Sequence, residues 1–202
     1  MKRLCFLVIC MSIIMGCSTS TSSTKALVDY VDPNIGTAHC RWFFYTPAAI
    51  PFGMAKLAPS TDAHLGNPGG WQAVGYDFRH TSIEGFANFH EFQVGGVVFA
   101  PTVGELQTVP GELENPDGGY RSRFDKKDEV AAPGYYSVLL KDYGVKAELT
   151  AMKRVGFHRY TYPKTELANL IFDIGNKQGE SGEVKDAEVQ YFCLLYTSPS
   201  PR

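Results

Sequence analysis

The fold of this chain is decided by residues 135–152, which read YYSVLLKDYGVKAELTAM. Two apolar runs flank the four residues KDYG, a polar group ending in glycine that is typical of a tight turn. In the second run every second residue is apolar and polar residues occupy the positions between them. One face of the predicted strand is therefore expected to be buried and the other exposed to solvent. The apolar positions are Val145, Ala147, Leu149 and Ala151. The pattern therefore predicts a β-hairpin.

The segments on either side of this hairpin carry similar signals. A third strand is predicted at 156–162, ending before Pro163, because proline cannot donate a hydrogen bond to the ladder. Residues 167–174 are apolar almost throughout, which indicates a strand in the middle of the core. Earlier in the chain, short β-branched and aromatic runs alternate with loops rich in Gly, Pro and Asp. These earlier strand candidates are 53–57, 73–78, 83–88, 96–101 and 106–109.

Helical periodicity is almost absent over the same region. Ten or so short strands without helical units indicate two packed sheets. The predicted fold class is therefore all-β, a large antiparallel β-sandwich. Residues 109–128 are polar, glycine-rich and without periodicity, so they are predicted to form a long surface loop.

The N-terminus predicts an exported lipoprotein. Residues 1–16 combine a basic head with an apolar run too short to span a bilayer and a final glycine, the pattern of a secretory signal peptide. The letters IMGC are similar to a lipobox, in which cleavage leaves Cys17 acylated; an ordinary signal with an incidental cysteine is the alternative. Ser18 favours the outer membrane, on its periplasmic or its surface face. Residues 17–28 are predicted to be a flexible tether.

The last ten residues, 193–202, read CLLYTSPSPR. They are similar to the translation of a transposon adapter used to prepare DNA-sequencing libraries, which predicts a non-native tail; a natural Ser/Pro-rich linker is the alternative. Residues 29–192 remain as the predicted folded domain, which is expected to be incomplete. Of the five cysteines, Cys40 alone lies outside the signal, the lipid site and the tail, so no internal disulfide is expected.

Composition and motifs exclude several classes of function. The 19 basic and 21 acidic residues give a formal net charge of −2, and the basic residues are scattered, so nucleic acid is not an expected partner. The sequence holds no Cys/His spacing typical of a metal site, no phosphate-binding glycine loop and no serine-nucleophile elbow.

A set of unusual residue blocks occurs in a fixed order in the predicted domain. The blocks are YVDPNIGT at 30–37, PFGM at 51–54, GY at 75–76, IEGF at 83–86, PGYY at 133–136, ELTA at 148–151 and GFHRYTYP at 156–163. Together they resemble the N-terminal β-sandwich domain of the family 92 glycoside hydrolases, bacterial calcium-dependent exo-α-mannosidases. The resemblance implies that the chain is the front portion of a much longer enzyme.

The resemblance also implies where the chemistry lies. In that family the catalytic acid, the catalytic base and most calcium ligands belong to an (α/α)6 barrel domain that follows the sandwich and is missing here. No catalytic residue and no metal ligand is therefore assigned in this chain, and the fragment alone is expected to be inactive. Inverting cleavage of a glycoside needs two carboxylates across the sugar ring, and no spacing in this sequence pairs two of them. Calcium is implied for the parent enzyme, bound mainly by the missing domain.

Two segments are predicted to reach the sugar pocket between the two domains. In NPGGW at 67–71, Gly70 and Trp71 present an apolar indole face to a pyranose ring and an N–H to a hydroxyl; core or interdomain packing of Trp71 is the alternative. In GFANFHE at 85–91, His90 and Glu91 are predicted to hydrogen-bond a sugar or a loop of the missing domain, with a purely structural role as the alternative.

Three further features come from the comparison with the family blocks. The block at 85–91 usually reads GFSHTH, so Asn88 replaces the first histidine. His158 and Arg159 are interpreted as structural residues on opposite faces of one strand, and Arg159 is expected to find a charged partner across the sheet or at the domain interface. A loop near residues 38–46 is a further pocket candidate; its polar and aromatic members are His39, Arg41 and Trp42.

The sequence therefore predicts the accessory domain of an exo-acting α-mannosidase that hydrolyses terminal α-mannosides of glycans with inversion. Its expected partners are mannose-containing glycans, the missing catalytic domain of the same chain, and a membrane reached through the lipid anchor. A stand-alone carbohydrate-binding surface lipoprotein without catalysis is the alternative.

Overall fold

The structure is a computed structural model that describes residues 25–38, 46–61, 75–88, 97–176 and 184–190. These parts contain ten strands and no α-helix, and their helical elements are three short 3-10 turns. The turns are Leu27–Tyr30, Pro116–Gly118 and Lys126–Asp128. The all-β fold class predicted from the sequence is confirmed.

The strands are short and irregularly spaced along the chain. They are β1 (Ala58–Ser60), β2 (Ser82–Ile83), β3 (Gly85–Ala87), β4 (Val98–Val103), β5 (Ser122–Arg123), β6 (Val130–Ala132), β7 (Tyr135–Leu140), β8 (Val145–Ala151), β9 (Gly156–Thr161) and β10 (Ala168–Asp173). The first sheet has the order β1-β3-β4-β10, a small sheet pairs β2 with β5, and the second large sheet has the order β6-β7-β8-β9. Every neighbouring pair is antiparallel.

The predicted hairpin is confirmed as β7 and β8 of the second sheet. Its turn at 141–144 ends on Gly144, whose φ of 63° lies in the left-handed region that glycine adopts without a steric penalty. The Asp142 carboxylate accepts a hydrogen bond of 2.7 Å from the backbone N–H of Arg123. The Lys141 N–H donates at 2.9 Å to the Arg123 carbonyl. The turn is therefore fixed to β5 as well as to its own strands.

The core lies between the inner faces of the two large sheets and includes the small one. Leu57 and Phe86 come from the side of the first sheet, Tyr136 and Leu149 from the second, and Ile83 from the small sheet, all buried. Burying a large apolar side chain of this kind stabilises a fold by about 1.5–3 kcal/mol. The alternation read in β8 is what turns Leu149 and its apolar neighbours toward this core.

The prediction that residues 167–174 form a strand in the middle of the core is wrong in its position. A strand does form there, β10, but among the described strands it lies at the edge of the first sheet and pairs only with β4. Leu170 is 41% exposed and Phe172 is 59% exposed. An apolar run encodes a preference for burial, whereas the place of a strand in the sheet depends on pairing, which the run does not specify.

The prediction of a surface loop over 109–128 is wrong for the stretch from Tyr120 to Phe124. Tyr120, Arg121 and Phe124 are all buried, and β5 lies between them. The Tyr120 hydroxyl donates to the Asp173 carboxylate of β10, and the Arg121 guanidinium donates to a backbone carbonyl beside β1. The sequence pattern did not predict burial of this segment, because polar residues interrupt its apolar positions. Its burial depends on hydrogen bonds to distant strands rather than on an apolar face.

Several boundaries in the first half differ from the prediction. The candidate at 53–57 is a turn followed by an isolated bridge at Leu57, and the strand starts one residue later. The candidate at 83–88 divides into parts of β2 and β3, and 96–101 shifts to β4. Residues 106–109 and 75–78 are not strands. The short apolar runs marked the right regions, but turn geometry set the ends.

No helix in the described part of the chain has the length and apolar character needed to cross a bilayer.

Candidate functional site

The residues predicted to contact sugar, Gly70, Trp71, His90 and Glu91, lie outside the described residues, as do Cys17 and the candidates at 39–42. The described chain reaches the second of these segments at Asn88, immediately after β3. Asn88 lines a cleft of about 450 Å³, which we call the Asn88 cleft. The described residues around the cleft are Met54, Ala55, Asn88, Arg154 and Gly156.

Backbone hydrogen bonds tie the three walls of the Asn88 cleft together. The Met54 N–H donates to the Lys153 carbonyl at 2.7 Å, which joins the turn before β1 to the β8–β9 turn. The Lys56 N–H donates to the Asn88 carbonyl at 3.0 Å, which joins the same turn to the end of β3. The Met152 N–H closes the β8–β9 turn on the Val155 carbonyl at 2.8 Å. The cleft is therefore a built feature of the fold.

Gly156 lines the cleft and lies where a side chain would not fit. A β-carbon at this position would lie 2.4 Å from Leu57 Cδ1 and 2.8 Å from Asn88 Oδ1, both far inside van der Waals contact. Leu57 is fully buried, so it has little freedom to give way. Glycine is needed here for close approach between β9 and the first sheet.

Asn88 is held by a chain of hydrogen bonds that starts in β9. His158 Nε2 lies 2.7 Å from Asn88 Oδ1, and His158 Nδ1 lies 2.8 Å from the Tyr160 hydroxyl. Since Oδ1 only accepts, Nε2 carries the ring proton, and Nδ1 accepts from the tyrosine. The order is Tyr160 to His158 to Asn88. The NH2 group of Asn88 is not used in this chain of bonds and remains a donor at the cleft.

The surroundings of His158 keep its ring neutral. Burial lowers the pKa of His158 from 6.5 to about 4, because a charged ring would lose its hydration there. The Phe99 ring packs against it with centroids 5.0 Å apart. Burial also raises the pKa of Tyr160 above its usual value, so the hydroxyl stays a donor. At neutral pH the chain therefore positions Asn88 without holding a mobile proton.

The described lining of the Asn88 cleft combines hydrogen-bond donors with apolar surface. Asn88 supplies an amide donor and Arg154 a guanidinium, while Met54 and Ala55 give apolar surface. None of the described lining residues is a carboxylate or a histidine. This part of the cleft can therefore orient a ligand but holds no group that would donate or accept a proton in a reaction.

Arg159 has the partner across the sheet that the sequence led us to expect. Its Nε and Nη2 donate to the two carboxylate oxygens of Glu148 at 2.7 and 2.8 Å, a bidentate pair between β9 and β8. The Tyr135 hydroxyl donates to the same carboxylate at 2.7 Å. Arg159, followed by Tyr135, lowers the pKa of Glu148 to about 2. Glu148 is thus a fixed anion on the outer face, with no role as a proton donor near neutral pH.

The described residues do not offer a metal centre. No group of three or more Asp, Glu, His or Cys side chains comes together among them. Calcium takes six to eight oxygen ligands in proteins, so the described residues do not fit a calcium site.

Sequence reasoning named Asn88 and His158 separately but missed that they meet. The signals that could have suggested it were the departure from the family block at Asn88 and the strongly matching block around His158. Neither signal carries distance information, because 70 positions separate the two residues.

The fold and the cleft define the class of this protein as an antiparallel β-sandwich domain with a donor-lined cleft at the end of β3 and the start of β9. The sequence profile described as glycosyl hydrolase family 92 N-terminal domain matches residues 30–193. The chain therefore belongs to this family, as its ordered residue blocks suggested.

Solved structures agree with this membership. The family GH92 alpha-mannosidase BT3965 from Bacteroides thetaiotaomicron is 38% identical, with a TM-score of 0.65 over 75% of this chain and 20% of that chain. Its complex with mannoimidazole matches at 39% identity with the same TM-score and coverage. The Family GH92 Inverting Mannosidase BT2199 from Bacteroides thetaiotaomicron VPI-5482 is 22% identical, with a TM-score of 0.55 over 74% of this chain and 20% of that chain, a likeness that shows the fold alone.

The chain spans about a fifth of the length of these solved relatives. A comparison with curated proteins found no match.

Proposed function

We propose that this chain is the N-terminal accessory domain of an exo-acting α-mannosidase that removes terminal α-mannosides from glycans with inversion. The observation that supports this most directly is the family match over residues 30–193, together with 38% identity to an α-mannosidase. The complex of that relative with mannoimidazole supports a mannose-like ligand. Inversion is proposed on family membership, since BT2199 of the same family is an inverting mannosidase.

In this proposal the sandwich binds and orients the glycan. Asn88, fixed through His158, and Arg154 offer donors to sugar hydroxyls at the Asn88 cleft. Trp71, preceded by Gly70, stacks on a pyranose ring, and His90 and Glu91 add hydrogen bonds from the segment that follows Asn88. These contacts lower the free energy of the bound glycan, but they do not supply the acid and base that cleavage needs.

The acid, the base and the calcium of the proposed enzyme belong to the part of the longer protein that follows this domain. When bound there, calcium would polarise the sugar or the attacking water as a Lewis acid. The described residues of the sandwich give no fit to the ion. The proposed role of this chain is independent of the metal.

The proposed location is the outer membrane. Cleavage before Cys17 and acylation of that cysteine would leave the sandwich on a short tether, because more than one acyl chain is needed for stable anchoring and a lipoprotein carries three. The glycan substrate would then be met outside the cytoplasm.

The experiment compares the purified 202-residue chain with the longer protein recovered by sequencing the locus downstream. We expect the longer protein to release mannose from α-mannosides in the presence of calcium and the short chain to release none. Proton NMR during the reaction should show β-mannose first, since inversion of an α-mannoside gives the β-anomer. Controls are mock-purified material and chelated calcium.

Each outcome decides one part of the proposal. Early α-mannose would contradict inversion, and release of oligosaccharides would contradict exo action. Mannose release by the short chain would contradict an accessory role. Failure of the longer protein to cleave any α-mannoside would refute the mannosidase assignment and leave carbohydrate binding as the function.

A further inference from the structure

A second groove lies on the outer face of the sheet that contains β7, β8 and β9. The register sets Thr150 of β8 between Tyr135 of β7 and Phe157 of β9, so these side chains form one row across the outer face. In the next row of the same face, Glu148 lies beside Arg159. These five residues are among those that line a groove of about 390 Å³, which we call the Phe157 groove. This volume falls within the range of small-molecule sites, about 300–1,000 Å³.

Strand alternation separates the Phe157 groove from the Asn88 cleft. His158 points inward, where its ring packs against Phe99. Its neighbours Phe157 and Arg159 point outward. Phe157 is 47% exposed, and the side chain of Arg159 is 73% exposed. The groove and the cleft have no described lining residue in common, so each can be altered without changing the other.

Two aromatic rings form the walls of the Phe157 groove, with Thr150 between them. Neighbouring strands lie about 4.8 Å apart, so Tyr135 and Phe157, two strands apart, leave the sheet roughly 10 Å from each other. A ring in van der Waals contact with both walls needs roughly 7–8 Å between them. The Tyr135 hydroxyl donates to Glu148 at 2.7 Å, which fixes its ring. The Thr150 hydroxyl donates to the Gly134 carbonyl at 2.7 Å, so its oxygen is left as an acceptor between the walls.

The ion pair of Glu148 and Arg159 supplies polar groups beside these rings. Arg159 donates through Nε and Nη2 to the two carboxylate oxygens, and its Nη1 has no hydrogen-bond partner among the described residues. Each carboxylate oxygen can accept more than one hydrogen bond, so Glu148 keeps acceptor capacity. A donor and an acceptor therefore stand side by side in fixed positions, which suits two neighbouring hydroxyl groups. The two charges cancel, and Lys146 is not among the described lining residues, so the groove favours an uncharged ligand.

We propose that the Phe157 groove binds one pyranose unit of a neutral glycan, as a second carbohydrate site on this domain. The sugar ring lies between Tyr135 and Phe157, whose faces pack against its C–H bonds. Arg159 Nη1 donates to one hydroxyl, and the Glu148 carboxylate accepts from the adjacent hydroxyl. The groove holds the glycan without cleaving it, and a second point of attachment raises the effective concentration of the glycan at the domain. The inference goes beyond the proposed function and does not depend on mannosidase activity.

The test titrates the isotopically labelled 202-residue chain with methyl α-mannopyranoside and with methyl α-glucopyranoside and follows the amide NMR shifts. We expect saturable shifts at Tyr135, Thr150 and Phe157, with a Kd on the order of millimolar for a ligand of this size. F157A should raise this Kd about fivefold or more, because one stacking face is lost. F157W should bind within about twofold of the parent chain, since it restores an aromatic face. L139A is the matched control and should change the Kd less than about twofold, because Leu139 is exposed on the same outer face two rows away.

The proposal is overturned if neither sugar gives saturable shifts at these three amides, or if the shifts are confined to the Asn88 cleft. It is also overturned if F157A binds as tightly as the parent chain. Glycerol has adjacent hydroxyls but no ring, and the same shifts with glycerol at equal concentration would overturn it too. Circular dichroism without sugar checks that the variants fold, and the shift map of the parent chain decides the location if F157A does not. Failure of the longer protein to cleave α-mannosides would refute the proposed function and leave this binding result unchanged.

Discussion

His158 Nε2 lies 2.7 Å from Asn88 Oδ1, across 70 positions of sequence. Asn88 follows β3 of the first sheet and His158 lies in β9 of the second, so this hydrogen bond joins the two sheets at the edge of the cleft. Asn88 is the last described residue before the segment with His90 and Glu91, so the bond fixes the residue at which the described stretch containing β3 ends.

The close approach at Gly156 predicts a stability loss in G156A. The new methyl group would overlap Leu57 Cδ1 and Asn88 Oδ1, and overpacking of this kind costs about 1–3 kcal/mol. G175A is the control, because its added carbon would lie no closer than 3.6 Å to another atom outside its neighbours. Urea unfolding of both variants measures the difference. Equal stability of G156A and the parent chain would show that β9 can shift, contrary to the geometry.

The depressed pKa of His158 predicts a loss of stability on mild acidification. Between pH 6.5 and about pH 4, His158 binds a proton in the unfolded chain but not in the folded chain. The free energy of unfolding therefore falls as the pH falls through this window. The part due to His158 is roughly 1–2 kcal/mol between pH 7 and pH 5. H158Q keeps a donor for Asn88 but cannot titrate. Urea titrations at both pH values should show a smaller pH effect in H158Q, and parallel curves would contradict the neutral, buried ring.

Phe86 and Phe172 both lie in the first sheet but differ in exposure, which predicts unequal costs for the same substitution. F86A should lose about 3–5 kcal/mol, since Phe86 is fully buried between the sheets. F172A should lose no more than about 1 kcal/mol in this chain, because its ring is largely exposed. Thermal unfolding of the two variants provides the comparison. A cost for F172A close to that of F86A would mean that another part of the chain already covers β10.

The proposed stacking of Trp71 on sugar predicts a specific loss of activity. In the longer protein, W71A should lower kcat/KM for α-mannosides by about tenfold or more through lost contact with the substrate. Its thermal midpoint should stay near that of the parent protein. Steady-state kinetics and a thermal melt measure the two effects. Unchanged kinetics would remove Trp71 from the site, and a large fall in the midpoint would favour a packing role.

The lipoprotein hypothesis predicts a single acylation site at Cys17. C17S should no longer incorporate a fatty-acid analogue and should leave the membrane fraction or stay uncleaved, because its side chain cannot form the thioether. C10S is the matched control, since it removes a cysteine of the same signal and keeps Cys17. Labelling followed by fractionation reports the result. Equal labelling of C17S and C10S would end the hypothesis.

The candidate site was only partly accessible to sequence reasoning. The structural interpretation of Arg159 and its charged partner agrees with the bidentate contact to Glu148, because strand alternation places Arg159 on the outer face beside a neighbouring strand. The connection between His158 and Asn88 was not predictable, since a period of two tells which face a side chain lies on but not which strand stands opposite. The roles of Gly70, Trp71, His90 and Glu91 stay predictions.

The sequence by itself determined the class of the fold, the β7–β8 hairpin and the family. Those signals are local: the alternation in β8 and the glycine of the turn act over a few residues, and the ordered blocks need no coordinates. Only the tertiary structure decided that β10 lies at the edge of the described strands, that Tyr120, Arg121 and Phe124 are buried and that Asn88 meets His158. Each of these features depends on pairing between segments that are far apart in the chain. Packing and hydrogen bonding over the whole sandwich determine which segments pair, and no local sequence pattern specifies the partner.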